Sequence, residues 1–278
     1  MSSPSVSVIV TTYDWPEALG EVLRGLQRQH TRPHEVLVAD DGSDARTAAL
    51  IAQWRERLPF PLLHVWQEHQ GFRAARGRNR AAARASGDYL IFLDGDSVPL
   101  PDFIVGHQRL AQARRFVAGQ RILLSPAATQ AWLQNQERLS EVSRWGSWFS
   151  ARLSGRVNRL LPLLRLPDMG WRDRGSTRWE GVKTCNLGVW RSDFLAVNGF
   201  DEAFMGWGHE DADLAVRLLR HGVLRKGGRF AVPVLHLWHA PAPRAREGDN
   251  RAMLDATLAG QRPIRAELGV SQHLGAVA

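Results

Sequence analysis

Tyr89-Leu90-Ile91-Phe92-Leu93-Asp94-Gly95-Asp96 joins an unbroken apolar run to two carboxylates that flank one glycine. Such a run, closed by a glycine, reads as a strand buried on both faces with the acids at its carboxyl end. Open α/β sheets bind their ligands at that end. Two acids so close together, half removed from water, need a counter-charge, and a divalent cation is the usual one. The alternative is a solvated Asp-Gly turn. Two downstream clusters favour the ligand site: Gly206-Trp207-Gly208-His209-Glu210-Asp211 and His236-Leu237-Trp238-His239.

The chain before this run reads as repeated strand–helix units. Strands are expected at 6–11, 35–39, 62–67 and 89–93, and helices at 15–29, 47–58 and 74–85. Asp14 is a candidate N-cap, Pro59 stops the second helix and Gly87 the third. The alternation implies a parallel sheet covered by helices on both faces. Thr11–Asp14, Asp40–Ser43 and Asp94–Asp96 then all fall at strand carboxyl ends, where a nucleotide crevice would lie.

Four segments in order, Val6-Ser7-Val8-Ile9-Val10-Thr11-Thr12-Tyr13, Val38-Ala39-Asp40-Asp41-Gly42-Ser43, Arg78-Asn79 and Asp88 through Asp96, resemble the family 2 inverting glycosyltransferases of GT-A fold. Downstream, Asn198-Gly199-Phe200-Asp201-Glu202 and Gly206 through Asp213 resemble the carboxyl-terminal segment of galactosyl- and N-acetylgalactosaminyltransferases. The resemblance covers roughly residues 5 to 240. It implies a Rossmann-like, mostly parallel sheet and a UDP-sugar donor. Thr11 and Tyr13 would line the base pocket, Asp41 would accept from the uracil N3–H, and Arg78 would point at the base or diphosphate. Asp94 and Gly95 would lie against the donor, Asp94 contacting the ribose or the metal site, and Asp96 would bind Mn²⁺ or Mg²⁺ directly.

The resemblance implies that a histidine after the expected strand 230–235 completes the metal site. Positions 236 and 239 face opposite ways on a strand, so only one points at the metal unless the strand has ended. His236 is the first choice and His239 the alternative. The resemblance also implies that Asp211, the acid after Glu210, is the general base that takes a proton from the acceptor hydroxyl. Glu210 would hold a hydroxyl of donor or acceptor. Trp207 between two glycines suits a sugar platform, with His209 beside it. Acids in the first turn of a helix at 212–220 are the plainer account of Glu210, Asp211 and Asp213. Asn186 is either a sugar contact or a structural amide at a strand end.

These readings give one catalytic domain over 1–240. It comprises a nucleotide-binding half (1–125), a helical insertion (129–167) and an acceptor and metal half (178–240). A partly disordered tail is expected over 241–278, with a short helix near 251–258. In the insertion, Trp145, Phe149, Leu153, Val157, Leu160 and Leu164 recur every three or four residues, tracing a stripe that Pro162 would divide into two helices. Either it packs on the sheet or it lies on an anionic membrane surface, since no acid occurs from Val142 to Pro167. The loop 168–177 reads as a flexible lid.

Net charge is +8, with 36 Lys+Arg against 28 Asp+Glu, and nearly every cation is arginine, whose fork suits phosphates. Cys185 is the single cysteine, which rules out an intrachain disulfide and points to a reducing compartment. No apolar stretch approaches the roughly 20 residues that cross a bilayer. The expected location is cytoplasmic, with peripheral attachment to the inner face of the cytoplasmic membrane a candidate. A glycan or lipid-linked glycan of the cell envelope is the expected acceptor, and nucleic acid is not an expected partner. A basic nucleic-acid-binding protein would need an aromatic–basic pattern that is missing, and a sugar nucleotidyltransferase a glycine-rich loop after the first strand.

Overall fold

The computed structural model describes residues 3–134, 145–241 and 244–275. Strands β1 (Val6–Thr12), β2 (Glu35–Asp40), β3 (Leu62–Trp66) and β4 (Tyr89–Asp94) alternate with helices α1 (Pro16–Gln27), α2 (Ala45–Arg57) and α3 (Ala74–Arg84). There follow β5 (Ser97–Pro99), α4 (Phe103–Leu110), β6 (Arg115–Ala118), β7 (Gln120–Leu123), α5 (Pro126–Leu133) and α6 (Trp145–Leu153). Then come β8 (Asn186–Trp190), α7 (Arg191–Ala196), α8 (Glu210–Arg220), β9 (Leu224–Gly227), β10 (Pro233–His236) and α9 (Glu247–Leu258).

The main sheet has seven strands in the order β3-β2-β1-β4-β8-β6-β9. The first four are parallel, β8 runs antiparallel to β4 and β6, and β6 and β9 are parallel again. This is the expected α/β architecture with a mostly parallel sheet. The alternation within β4 divides the core. Ile91 and Leu93 pack in one cluster with Leu19, Leu23 and Leu26 of α1, while Leu90 and Phe92 pack in another with Ala81 and Ala82 of α3. Both faces of β4 are therefore removed from water, which is why its sequence is uniformly apolar.

A second sheet, β5-β10-β7, brings two distant parts of the chain together. Antiparallel pairing sets His236 of β10 opposite Ser97 of β5, and the Leu237 N–H donates to the Asp96 carbonyl at 2.9 Å. Asn79 makes the other long tie. Its amide donates to the Phe200 carbonyl (2.8 Å) and Glu202 carboxylate (2.9 Å), and accepts from the Phe200 N–H (2.9 Å).

Four expectations change. Asp14 does not cap α1. Trp15 takes the cap position with Pro16 in the first turn, and Asp14 (φ 43°) instead accepts from the Asp44 N–H at 2.9 Å. The insertion is not one stripe bent by Pro162. Helix α6 ends at Leu153, Gly155 adopts φ +71°, and the Arg156 N–H closes the terminus on the Ala151 carbonyl at 2.8 Å. Val157 then bridges to Leu124, and only a single 3₁₀ turn follows at Leu161–Leu163. The expected insertion also includes 135–144, which lie outside the described residues.

The loop 168–177 is pinned, not free. Buried Arg172 donates to the carbonyls of Leu166, Pro167, Gly227 and Arg229, and Asp168 pairs with Lys226 at 2.6 Å. Finally, the expected short tail helix is present, lengthened to α9 (Glu247–Leu258), but the rest of the described tail, through residue 275, is not disordered: it packs against the domain through Leu254, Ala266 and Val270. Thr257 donates to Asp213 at 2.8 Å. None of the described helices is long and apolar enough to cross a membrane.

Candidate active site

Parallel pairing aligns the strand ends. Thr11 lies opposite Asp94 and Thr12 opposite Asp40. A cavity of about 700 Å³ opens there, lined among others by Thr11, Asp41, Asp94, Asp96, Asp211 and His236. Glycine between the two β4 acids is a packing requirement. Its N–H donates to the Thr11 carbonyl at 2.7 Å, and a Cβ would stand 2.9 Å from that same oxygen.

On one side, Asp96, His236 and His239 bring one ligand atom each within 4.8 Å of the others. Asp96 lies 3.7 Å from His236 Nε2 and 3.2 Å from His239 Nε2. Both histidines reach the aspartate because β10 ends at His236. Beyond it the strand pairing has stopped, and the Trp238 N–H donates to Thr129 Oγ1 at 2.8 Å. Burial holds His236 toward its neutral, metal-binding form against the pull of Asp96, and nearby Arg121 acts with burial. One carboxylate and two imidazoles suit Mn²⁺ or a similar ion, so the donor set fits a divalent cation. Asp94 stands outside this triad, turned toward Arg78.

Arg78 is 4% exposed and organises the centre. It reaches Asp94 at 3.2 Å, Glu210 at 3.1 Å and Thr11 Oγ1 at 3.1 Å. Burial raises the Asp94 pKa, Arg78 opposing and Asp96 adding. Glu210 is pushed up to about 7 by burial and then by Asp211, against Arg78, and its Oε2 has no hydrogen-bond partner among the described residues. Asp211 Oδ2 accepts from the Thr184 N–H at 3.3 Å. Burial also pushes the Cys185 thiol up to about 12, so this wall residue stays protonated.

The raised Glu210 value predicts a pH effect. The ordinary value is 4.5, so between there and about 7 the folded protein holds a proton that the unfolded chain has released. Glu210 therefore lowers stability progressively as pH rises through that window. Glu210→Gln removes the effect, and urea unfolding should find the variant gaining on the wild type as pH rises. Parallel pH curves for the two proteins would contradict this.

At the nucleotide end, Tyr13 is 48% exposed and stacks on His69, ring centroids 4.3 Å apart. Asp41 accepts from Gln67 Nε2 (2.6 Å) and the Arg73 N–H (2.9 Å), leaving lone pairs for a ligand. At the other end, Trp207 lines the cavity beneath the Arg244 guanidinium, 4.6 Å from its ring centroid. His209 takes φ +73° at the start of α8, and Asn250 holds the loop by donating to the Met205 and Gly208 carbonyls. Asn186 is not brought to this cavity. It is 1% exposed, donates to the Gln120 and Val232 carbonyls and meets His107 at 3.0 Å.

Three residues escaped the sequence reading. Gln67 and His69 follow β3, so the strand-end rule that found Asp41 and Asp94 covers them too. Arg121 carried no local signal, because its place depends on β7 pairing with β10.

Residues 7–163 match glycosyl transferase family 2, and residues 172–231 match the family described as the N-terminal domain of galactosyltransferase. Validoxylamine A glucosyltransferase of Streptomyces hygroscopicus subsp. limoneus is 32% identical over 87% of this chain and 52% of its own length. Hyaluronan synthase of Pasteurella multocida is 28% identical over 91% of this chain and 26% of its own. The chain thus spans about half the length of the first of these relatives and about a quarter of the second. Among solved structures, a mannosyltransferase from Pyrobaculum calidifontis in complex with GDP-Man and Mn²⁺ superposes with TM-score 0.57 at 17% identity, over 94% of this chain and 75% of its own. S. aureus TarS gives 0.58 at 14% identity, over 97% and 41%. At such identities these two neighbours speak for the fold alone.

Proposed function

This chain belongs to glycosyl transferase family 2, and from that premise we propose that it is an inverting, metal-dependent transferase using a UDP-sugar. It moves a hexose or N-acetylhexosamine to a hydroxyl of a glycan or lipid-linked glycan, in cell-envelope polysaccharide or lipopolysaccharide synthesis. The observation that carries this reading is the gathering of Asp96, His236 and His239 in the same cavity as Asp211.

Tyr13 packs against the uracil face and Asp41 accepts its N3–H, while Thr11, Asp94 and Gly95 lie against the rest of the donor. Asp96, His236 and His239 hold the cation, Mn²⁺ or Mg²⁺. When bound, it neutralises the charge that develops on the departing diphosphate. Asp211 takes the proton of the acceptor hydroxyl as that oxygen closes on the anomeric carbon. Arg78 keeps Asp94 and Glu210 in place between donor and acceptor. Glu210 and His209 bind sugar hydroxyls, and Trp207 offers its ring to a sugar face. A single base with one direction of attack gives inversion. The galactosyltransferase match favours galactose or N-acetylgalactosamine.

An anionic membrane surface fits as a partner in this account. Trp145, Phe149 and Leu153 are 50%, 58% and 87% exposed along one side of α6, with Arg152 beside them.

The test is product stereochemistry. UDP-glucose, UDP-galactose and their N-acetylamino counterparts, all α-linked, are offered with Mn²⁺ and a glycan panel, and the new linkage is assigned by NMR. A β linkage is expected. An α linkage would overturn the single-displacement reading.

A further inference from the structure

Beside the donor cavity lies a second one of about 870 Å³, and its lining holds arginines and a lysine but no carboxylate. The two cavities share Arg121, Leu123, Gly181, Lys183 and Cys185. They therefore meet next to Thr184, whose N–H rests on Asp211.

The cations divide by what they already touch. Arg159, Arg172 and Arg225 donate to backbone carbonyls and build the wall. Arg229 lies over the Phe230 ring, while Arg121, Arg174, Arg178 and Lys183 have no side-chain hydrogen bond or ion pair with any described residue. Arg174, Arg178 and Lys183 are also exposed. Four unpaired cations around one hollow repel one another unless an anion enters. Two aromatic rings complete the lining, Trp171 and Phe230, whose centroids lie 6.0 Å apart and which each carry one guanidinium on a face, Arg172 at 4.4 Å and Arg229 at 4.5 Å. Aromatic faces with free guanidinium forks suit a sugar chain that carries carboxylates or phosphates.

We infer that the second cavity binds the acceptor, and that the acceptor is an anionic glycan. Its terminal hydroxyl reaches Asp211 while carboxylate or phosphodiester groups on the following residues engage Arg174, Arg178 and Lys183. This rests on the transferase reading above, and it adds the charge class of the acceptor and the place where its chain lies.

Arg174 and Arg178 line only the second cavity, so they separate acceptor from donor. The experiment measures binding of three labelled tetrasaccharides of equal length: one containing uronates, one linked by phosphodiesters and one neutral. Wild type and Arg174→Gln/Arg178→Gln are compared at low and physiological salt, with UDP and Mn²⁺ affinity measured in parallel. At least one anionic tetrasaccharide should bind tighter than the neutral one, and which of the two prevails identifies the anion. The double variant should lose about tenfold in that affinity, the scale of a lost charge-assisted hydrogen bond, along with most of its salt dependence. Its UDP affinity should stay at the wild-type value. Equal binding of neutral and anionic chains would overturn the inference, as would unchanged anionic binding in the double variant. Loss of UDP affinity in that variant would assign the cavity to the donor and overturn it too. Failure of wild type to bind UDP would instead strike the transferase reading, with the tetrasaccharide comparison still read on its own.

Discussion

Asp211→Asn should lower the rate of sugar transfer by about 10²- to 10⁴-fold, the usual contribution of a positioned general base. The substitution is nearly isosteric, and the amide oxygen can still accept from the Thr184 N–H that holds Asp211 at 3.3 Å. What is lost is the capacity to take a proton and the negative charge that helps raise Glu210. Single-turnover transfer to the most active glycan acceptor measures the rate, and calorimetry with UDP and Mn²⁺ shows that the donor site is intact. A variant that keeps wild-type turnover would remove Asp211 from the chemistry. Glu210, which burial and Asp211 bring up to about 7, would then be the next base to test.

Arg78→Met carries the second large effect, on stability. The guanidinium is buried between Asp94 at 3.2 Å and Glu210 at 3.1 Å, and it also bonds Thr11. Burial alone would lower its pKa, but Asp94 and Glu210 outweigh that and keep it charged. Removing it leaves two carboxylates in a poorly solvated centre with no cation, which costs about 3–5 kcal/mol for a buried pair. Urea unfolding without metal should read that loss, and adding Glu210→Gln to the variant should recover part of it at alkaline pH, where Glu210 would otherwise have to ionise with no cation beside it. A loss under about 1 kcal/mol, the scale of an exposed pair, would contradict the role assigned to Arg78.

Much of the nucleotide end was legible because its signals are local. An apolar run followed by acids fixes a strand and its carboxyl end together, so β4 with Asp94 and Asp96, and β2 with Asp40 and Asp41, could be read from short windows. Arg78 was legible as a site residue, but its partners were not. Glu210 lies 132 positions away, and only the fold brings it within reach. The histidine pair turned on where β10 stops. An expected strand end at 235 leaves the parity argument open; β10 stops at His236, the Trp238 N–H bonds to Thr129, and both rings lie near Asp96.

Composition misled where a few anchoring contacts override it. The tail is rich in Pro and Arg, yet Asn250, Leu254 and Thr257 dock it against α8 and the Gly206–Gly208 loop. The loop 168–177 looked like a lid, and one buried arginine bonded to four carbonyls fixes it. In α6, periodicity alone did not tell inside from outside. Trp148 and Ala151 pack inward, and Trp145, Phe149 and Leu153 face out.

The central claim is that Asp96, His236 and His239 hold a divalent cation that in turn holds a nucleoside diphosphate. Calorimetric titration of UDP tests it most directly, with and without Mn²⁺, on wild type and Asp96→Ala, each first shown to be folded. The account predicts Mn²⁺-dependent binding to wild type, with UDP at a hundred times its Kd raising stability by about 2.7 kcal/mol, and loss of that binding in Asp96→Ala. UDP binding of equal strength without metal and in Asp96→Ala would contradict it.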